Sequence, residues 1–186
     1  MLVSSDLMNY GRRDLGGVRA GANGWSWMVA TSFTILVGTM TGTAELVAEE
    51  VRDALAAEGH DVEVKPMDGL DGNILEPGRT YLICTSTYGQ GDVPDNAMKL
   101  YGDLATRRPD LSGLRYGVLA LGDRTYTQTF CHGGGRFDRL LAELGAERIG
   151  EAFQHDASSG TVPEEVGVEW AREWVRLLEE RMSVAA

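Results

Sequence analysis

Three threonines alternate at Thr39, Thr41 and Thr43 within "GTMTGTAE" (Gly38 to Glu45), after an apolar run and before an amphipathic segment. The opening turn of a helix presents unpaired N–H groups and the positive end of its dipole, a combination that holds an anion. Threonine hydroxyls add donors without adding charge, and Gly42 lets the backbone approach closely; Met40 and Ala44 complete the loop. A helix cap would account for one hydroxyl, not three. A nucleoside triphosphate loop needs GxxxxGK[ST], and a dinucleotide fingerprint needs GxGxxG. This loop has no lysine and neither pattern. Neutral donors without a cation suit a single phosphate monoester, so the chemistry expected is the binding of a mononucleotide.

Two further loops carry tyrosines. In "TSTYGQGDVPDNA" (Thr85 to Ala97), Tyr88 stands between Thr87 and Gly89, preceded by Ser86 and followed by Gly91 and Asp92. In "LGDRTYTQTFCHGGG" (Leu121 to Gly135), Tyr126 follows Leu121, Gly122 and Asp123 and precedes Phe130 and Cys131. A tyrosine alone on a loop usually packs locally. Two of them beside a phosphate cradle can close on a planar heterocycle, stacking being worth about 0.5–1.5 kcal/mol beyond area burial. Gly89 can turn its peptide at little steric cost.

The elements that must position these loops alternate. "FTILVG", "DVEVK", "TYLICTS", "RYGVLALG" and "AERIGEAF" read as five strands. "TAELVAEEVRDALAAEG", with Leu46 or Val47, Val51, Ala54 and Leu55 on one face, reads as a helix stopped by Gly59. "PDNAMKLYGDLATR", "RFDRLLAELG" and a segment from about Glu164 carrying Trp170, Trp174, Leu177 and Leu178 supply the rest. Mostly apolar strands alternating with helices predict a parallel sheet covered on both faces. In such sheets ligands bind beyond the carboxyl ends of the strands, where all three loops lie.

Composition narrows the function. The formal charge of −11 argues against a nucleic-acid or anionic-membrane binder. Residues 1–32 carry three Arg and two Asp, a net +1, so the acidity, −12, lies on the body and suits a basic protein partner. Residues 1–30 read as a loosely ordered extension without the apolar centre of a signal peptide, and Met28 is a candidate translation start. The folded domain is expected over residues 31–186. Cys84 and Cys131, far apart and in no metal spacing, suggest a reducing compartment, the cytoplasm. No run is long enough for a membrane span.

"TMTGTAE", "TSTYGQGDVPDNA" and "LGDRTYTQTFC…LGAERIG" together resemble the three FMN-binding loops of the flavodoxin-like family, nearest to short flavodoxins of the MioC type and the FMN domains of diflavin reductases. The resemblance runs from about Phe33 to Glu180. It implies a doubly wound five-stranded sheet of order 2-1-3-4-5 and FMN as cofactor. Thr39 to Ala44 would hold its phosphate. Tyr88 would stack on the inner face of the isoalloxazine and Tyr126 on the outer. Gly89 would turn its carbonyl toward flavin N5 on reduction, and Asp123 to Thr125, with Phe130 and Cys131, would wrap the ring edge. Asp156 falls loosely on an acidic family position. The Tyr126–Phe130 spacing is one residue longer than in the diflavin branch.

With Asp92, Asp95 and Asp123 placed to disfavour further negative charge on the ring, the expected function is a monomeric single-electron shuttle with no catalysis of its own. Its partners would be an NADPH-dependent flavin reductase as donor and a basic-faced redox protein as acceptor. The competing reading is an FMN-dependent quinone or nitro reductase, which needs space over the ring that Tyr126 should occupy. A phospho-receiver domain would need an acidic pair after the first strand and an aspartate ending the third, which "ILVGTMTG" and "LICTSTYG" lack. His60 and His132 read as surface residues, and Cys131 as a pocket-lining cysteine.

Overall fold

The computed structural model describes residues 30–184. The expectations for the extension, and for Met28, lie outside the described residues but for Ala30. Strand β1 (Ser32–Gly38) leads to helix α1 (Thr43–Ala57) and β2 (Asp61–Pro66); β3 (Thr80–Thr85) leads to α2 (Asp95–Arg107). Then come β4 (Arg115–Gly122), α3 (His132–Glu143), two short strands β5 (Glu147–Arg148) and β6 (Phe153–Asp156), and α4 (Pro163–Val184). All pairings are parallel, in the order β2-β1-β3-β4-β5, with β6 also on β4. This is the expected order 2-1-3-4-5.

Alternate strand residues feed two cores. Phe33, Ile35, Val37, Leu82, Cys84 and Leu119 face α1 and α4 through Val47, Val51, Leu55, Trp174 and Leu178. Leu36, Tyr81, Ile83, Tyr116 and Val118 face α2 and α3 through Leu100, Leu104, Phe137 and Leu141. Burying one such side chain contributes about 1.5–3 kcal/mol, so both faces must be covered for the sheet to persist. On α1 it is Val47 that turns inward, while Leu46 is exposed.

Three expectations need correction. "AERIGEAF" is not one strand. β4 advances from Tyr116 to Leu119 while its edge partner advances from Arg148 to Phe153, so the longer stretch bulges out through Gly150, at φ 66°. The third helix starts at His132, four residues before the Arg136 start that "GGG" suggests. His60 is buried, because the far end of α4 covers it: its Nδ1 lies 3.5 Å from the Thr31 N–H and 3.9 Å from Glu179 Oε1. His132 is exposed, as read.

Candidate functional site

The loops after β1, β3, β4 and β6 surround a cleft of about 540 Å³ at the carboxyl end of the sheet. Its size falls within the range of roughly 300–1,000 Å³ found for small-molecule sites.

The threonine loop forms one wall. Gly42, at φ 89°, is the residue before α1, and no side chain caps the helix. The amides of Thr43 and Ala44 therefore remain available to a ligand, while the Glu45 N–H donates to the Gly42 carbonyl at 3.0 Å. Thr41 and Thr43 line the cleft with hydroxyls 3.5 Å apart. Thr39 works inward instead: its hydroxyl accepts from the Gly42 N–H at 2.9 Å, and its own N–H donates to Asn96 Oδ1 at 2.9 Å. Asn96 also donates to the Val37 carbonyl at 3.3 Å, tying the loop to the start of α2. Met40 is exposed, and its sulfur accepts from the Asp95 N–H at 3.4 Å. Ala44 is buried, its carbonyl accepting from the Cys84 thiol at 3.3 Å.

Ser86, Thr87 and Gly89 form the second wall. The Ser86 N–H donates to the Gly38 carbonyl at 3.0 Å. The Thr87 hydroxyl donates to the Leu121 carbonyl at 3.3 Å and accepts from the Gly133 N–H at 3.1 Å, joining β3, β4 and α3. Room for that junction explains Gly133, and close packing on β4 explains Gly134. A Cβ on Gly133 would come within 2.3 Å of the Ser86 carbonyl oxygen, and one on Gly134 within 2.5 Å of Ala120 Cβ. Tyr88 exchanges backbone bonds with Asp92 at 2.9 and 2.8 Å. Its half-exposed ring is not part of the wall, although its neighbours are. Gly91 accepts from Arg136 Nε at 2.7 Å, and Arg136 pairs with Asp92 at 3.1 Å, so that carboxylate is partly neutralised.

Leu121, Gly122, Asp123 and Tyr126 make the third wall. Asp123 Oδ1 accepts from the Thr125 N–H and hydroxyl at 2.8 and 2.6 Å. Tyr126 is 69% exposed, a large apolar ring left for a ligand or partner to cover. Phe130 packs against the core under the Arg124 guanidinium, 4.6 Å from the ring centroid. Cys131 lies behind the wall, 1% exposed, its thiol donating to the Ala120 carbonyl at 3.4 Å. Burial pushes that thiol up to about 12. Asp156 latches this loop: it accepts from the Arg124 N–H at 3.0 Å and from the Ser158 N–H and hydroxyl at 2.9 and 2.7 Å. The Arg124 N–H chiefly, with Ser158, holds its carboxyl below the ordinary value of 3.8.

A fourth wall was not foreseen. Thr129, His155, Ala157, Thr161 and Pro163 also line the cleft, most of them after the last strand. A small polar run, "HDASSG", following a strand in a parallel sheet was the available signal. Among the described residues no lysine or arginine lines the cleft, and Asp123 is its only carboxylate. Hydroxyls and free helix amides without a cation fit the phosphate of the FMN that the resemblance implies, and the exposed Tyr126 ring fits a flat heterocycle.

Residues 35–174 match the flavodoxin family model. The chain is 41% identical to flavodoxin YqcA of Pectobacterium carotovorum subsp. carotovorum over 145 residues, spanning 78% of this chain and 95% of that one. Protein MioC of Escherichia coli (strain K12) is 37% identical over 151 residues, spanning 78% and 97%. A cysteine-to-alanine mutant of flavodoxin from Pseudomonas aeruginosa is 35% identical, with a TM-score of 0.71, covering 80% of this chain and 99% of that one.

Proposed function

Since the chain belongs to the flavodoxin family and is an FMN-binding electron-transfer protein, we infer that the cleft between the threonine loop and Tyr126 holds its cofactor. Bound FMN supplies one-electron redox chemistry that no side chain here offers. The protein's part is to hold and shield. Thr41, Thr43 and the uncapped amides of α1 take the phosphate, in a loop that Thr39 and Asn96 keep in shape. The Ser86–Gly89 turn and Tyr126 take the ring, with Tyr88 and Phe130 at its margins. Gly89, at φ 51° and with nothing within 4 Å of a Cβ position, is free to turn its peptide. Asp123 sets a negative charge beside the ring, which works against further negative charge collecting there.

Among the described residues no helix is long and apolar enough to cross a membrane. We place the protein in the cytoplasm as a monomer, taking electrons from an NADPH-dependent flavin reductase and passing them to a basic-faced redox protein. The net charge of −11 supports a basic partner. The observation that carries the cofactor site is the helix start left uncapped beside two converging hydroxyls. Purified protein is expected to be yellow and to release FMN, identified by mass, on acid treatment. The apoprotein should bind FMN far more tightly than riboflavin, which lacks the phosphate. Equal affinity for the two would overturn the assignment of the threonine loop.

A further inference from the structure

His155 is the residue of the fourth wall that the binding of a neutral heterocycle does not explain. It is the third residue of β6, opposite Leu121 of β4, and 5% exposed. Its Nε2 lies 3.1 Å from the Thr161 hydroxyl and 3.3 Å from the Thr161 carbonyl, and that hydroxyl is 2.7 Å from the Ser159 hydroxyl. A carbonyl only accepts, so Nε2 carries the proton and Nδ1 is left with its lone pair. Nδ1 has no protein partner among the described residues. Nor is it among the fully enclosed side-chain atoms without a hydrogen-bond partner, which among the described residues are Arg115 Nε and Trp174 Nε1. The small part of His155 left accessible therefore opens on the cleft it lines.

The cleft's charges give this nitrogen a use. Among the described residues its walls hold hydroxyls, free amides, one carboxylate and no lysine or arginine, so the His155 imidazole is the one side chain there that can carry a positive charge. The other groups around it are already committed. Asp123 is bonded to Thr125, Asp156 to Arg124 and Ser158, and the Cys131 thiol, which approaches the His155 carbonyl at 3.6 Å, is held neutral by burial. Arg124 stands 3.7 Å from Asp156, Tyr126 lines the same cleft, and Glu164 and Glu165 open α4. We propose that His155 is a proton-linked cofactor-binding residue, taking up a proton at Nδ1 when the phosphate-bearing ligand binds. This rests on the cleft being the FMN site. The proton comes from solvent, and the Nε2–H bond to Thr161 is kept in both forms, so the ring need not move.

The test is FMN and riboflavin affinity of the apoprotein, by quenching of flavin fluorescence, in wild type and His155→Gln from about pH 6 to pH 8. Wild type should gain over the variant about three- to tenfold in FMN affinity toward the acid end, with no such gain for riboflavin. A wild-type to variant ratio that is flat in pH, or equal for the two ligands, overturns the proposal while leaving the cofactor site intact. Failure of wild type to bind FMN at any pH overturns the site and the proposal together. Should the variant not fold, proton NMR of wild type decides. The titration midpoint of the His155 ring must rise on adding FMN, and an unmoved midpoint refutes the linkage.

Discussion

The glycines that open α3 provide a matched pair for testing how the cleft is built. A Cβ on Gly133 would sit 2.3 Å from the Ser86 carbonyl oxygen and 3.3 Å from Thr87 Cα, both backbone atoms that cannot swing aside. Overpacking costs about 1–3 kcal/mol, and a backbone obstacle puts this site toward the upper part of that range. Alanine recovers up to about 1 kcal/mol of helix propensity over glycine. Gly133→Ala should therefore lose about 1–2 kcal/mol, a fall in Tm of roughly 2–8 °C for a chain of this size. The clash also bears on the Thr87 hydroxyl, which accepts from the Gly133 N–H at 3.1 Å, so FMN affinity should fall with stability. Gly135, two residues on, meets nothing within 4 Å. Gly135→Ala should show the propensity gain alone, about 0.5–1 kcal/mol, with FMN affinity unchanged. Thermal unfolding of the two apoproteins, with FMN titration of each, separates the effects. A Gly133→Ala protein as stable as Gly135→Ala would refute the view that these glycines seat α3 against the Ser86–Thr87 turn.

Replacing Thr41 or Thr43 by valine keeps shape and removes one donor toward a charged acceptor; a loss of about 1.5–3 kcal/mol, roughly ten- to 150-fold in FMN affinity, is expected by fluorescence titration, with riboflavin affinity unchanged. Asp156 titrates below 3.8 in the folded chain, so its contribution to holding the Asp123–Cys131 loop is present above that value and lost as pH falls through the lowered one. The protection of the Arg124 and Ser158 amides against exchange should accordingly be lost only as pH falls below 3.8 in wild type, and be absent already at pH 6 in Asp156→Ala. Burial pushes both Cys84 and Cys131 thiols up to about 12, so neither should react with a disulfide reagent at pH 8 until the protein is unfolded. Labelling of Cys131 in the folded apoprotein would show that the loop before α3 opens.

Much of the fold could be read along the chain because its signals are local. Apolar runs of strand length, helical faces such as Val51, Leu55 and Phe137, Leu141, and glycine stops at Gly59 and Gly145 each need only a dozen residues of context. The failures came where a distant element decides. "HGGG" has poor helix propensity, yet two close approaches, of Gly133 to the turn after β3 and of Gly134 to β4, make a helix there the arrangement that packs. "AERIGEAF" has the composition of one strand, but register with β4 is interrupted between Arg148 and Phe153. His60 follows a helix stop, where exposure is usual; Thr31 and α4, the latter more than a hundred residues later, close over it.

The cleft divides along the same line. Thr41, Thr43, Ser86, Thr87, Gly89, Asp123 and Tyr126 were legible because each sits on a strand-ending loop with a side chain or backbone suited to a ligand. Asn96 was not, because its work is on the protein: it fixes the Thr39 N–H and the Val37 carbonyl, and its type suggests only a helix start. His155 and Thr161, which line the cleft, were not legible either, since their meeting depends on β6 pairing with β4 after a bulge. Cleft residues carried on the loops after β1, β3 and β4 thus declare themselves by type and place, whereas residues that hold those loops, or that reach the cleft from β6, declare themselves only through register. The cradle's neutrality follows from this arrangement. With Asn96 and Thr39 keeping the loop in shape without a bound anion, the α1 amides can stay oriented in the apoprotein, and no lysine is required to draw the phosphate in.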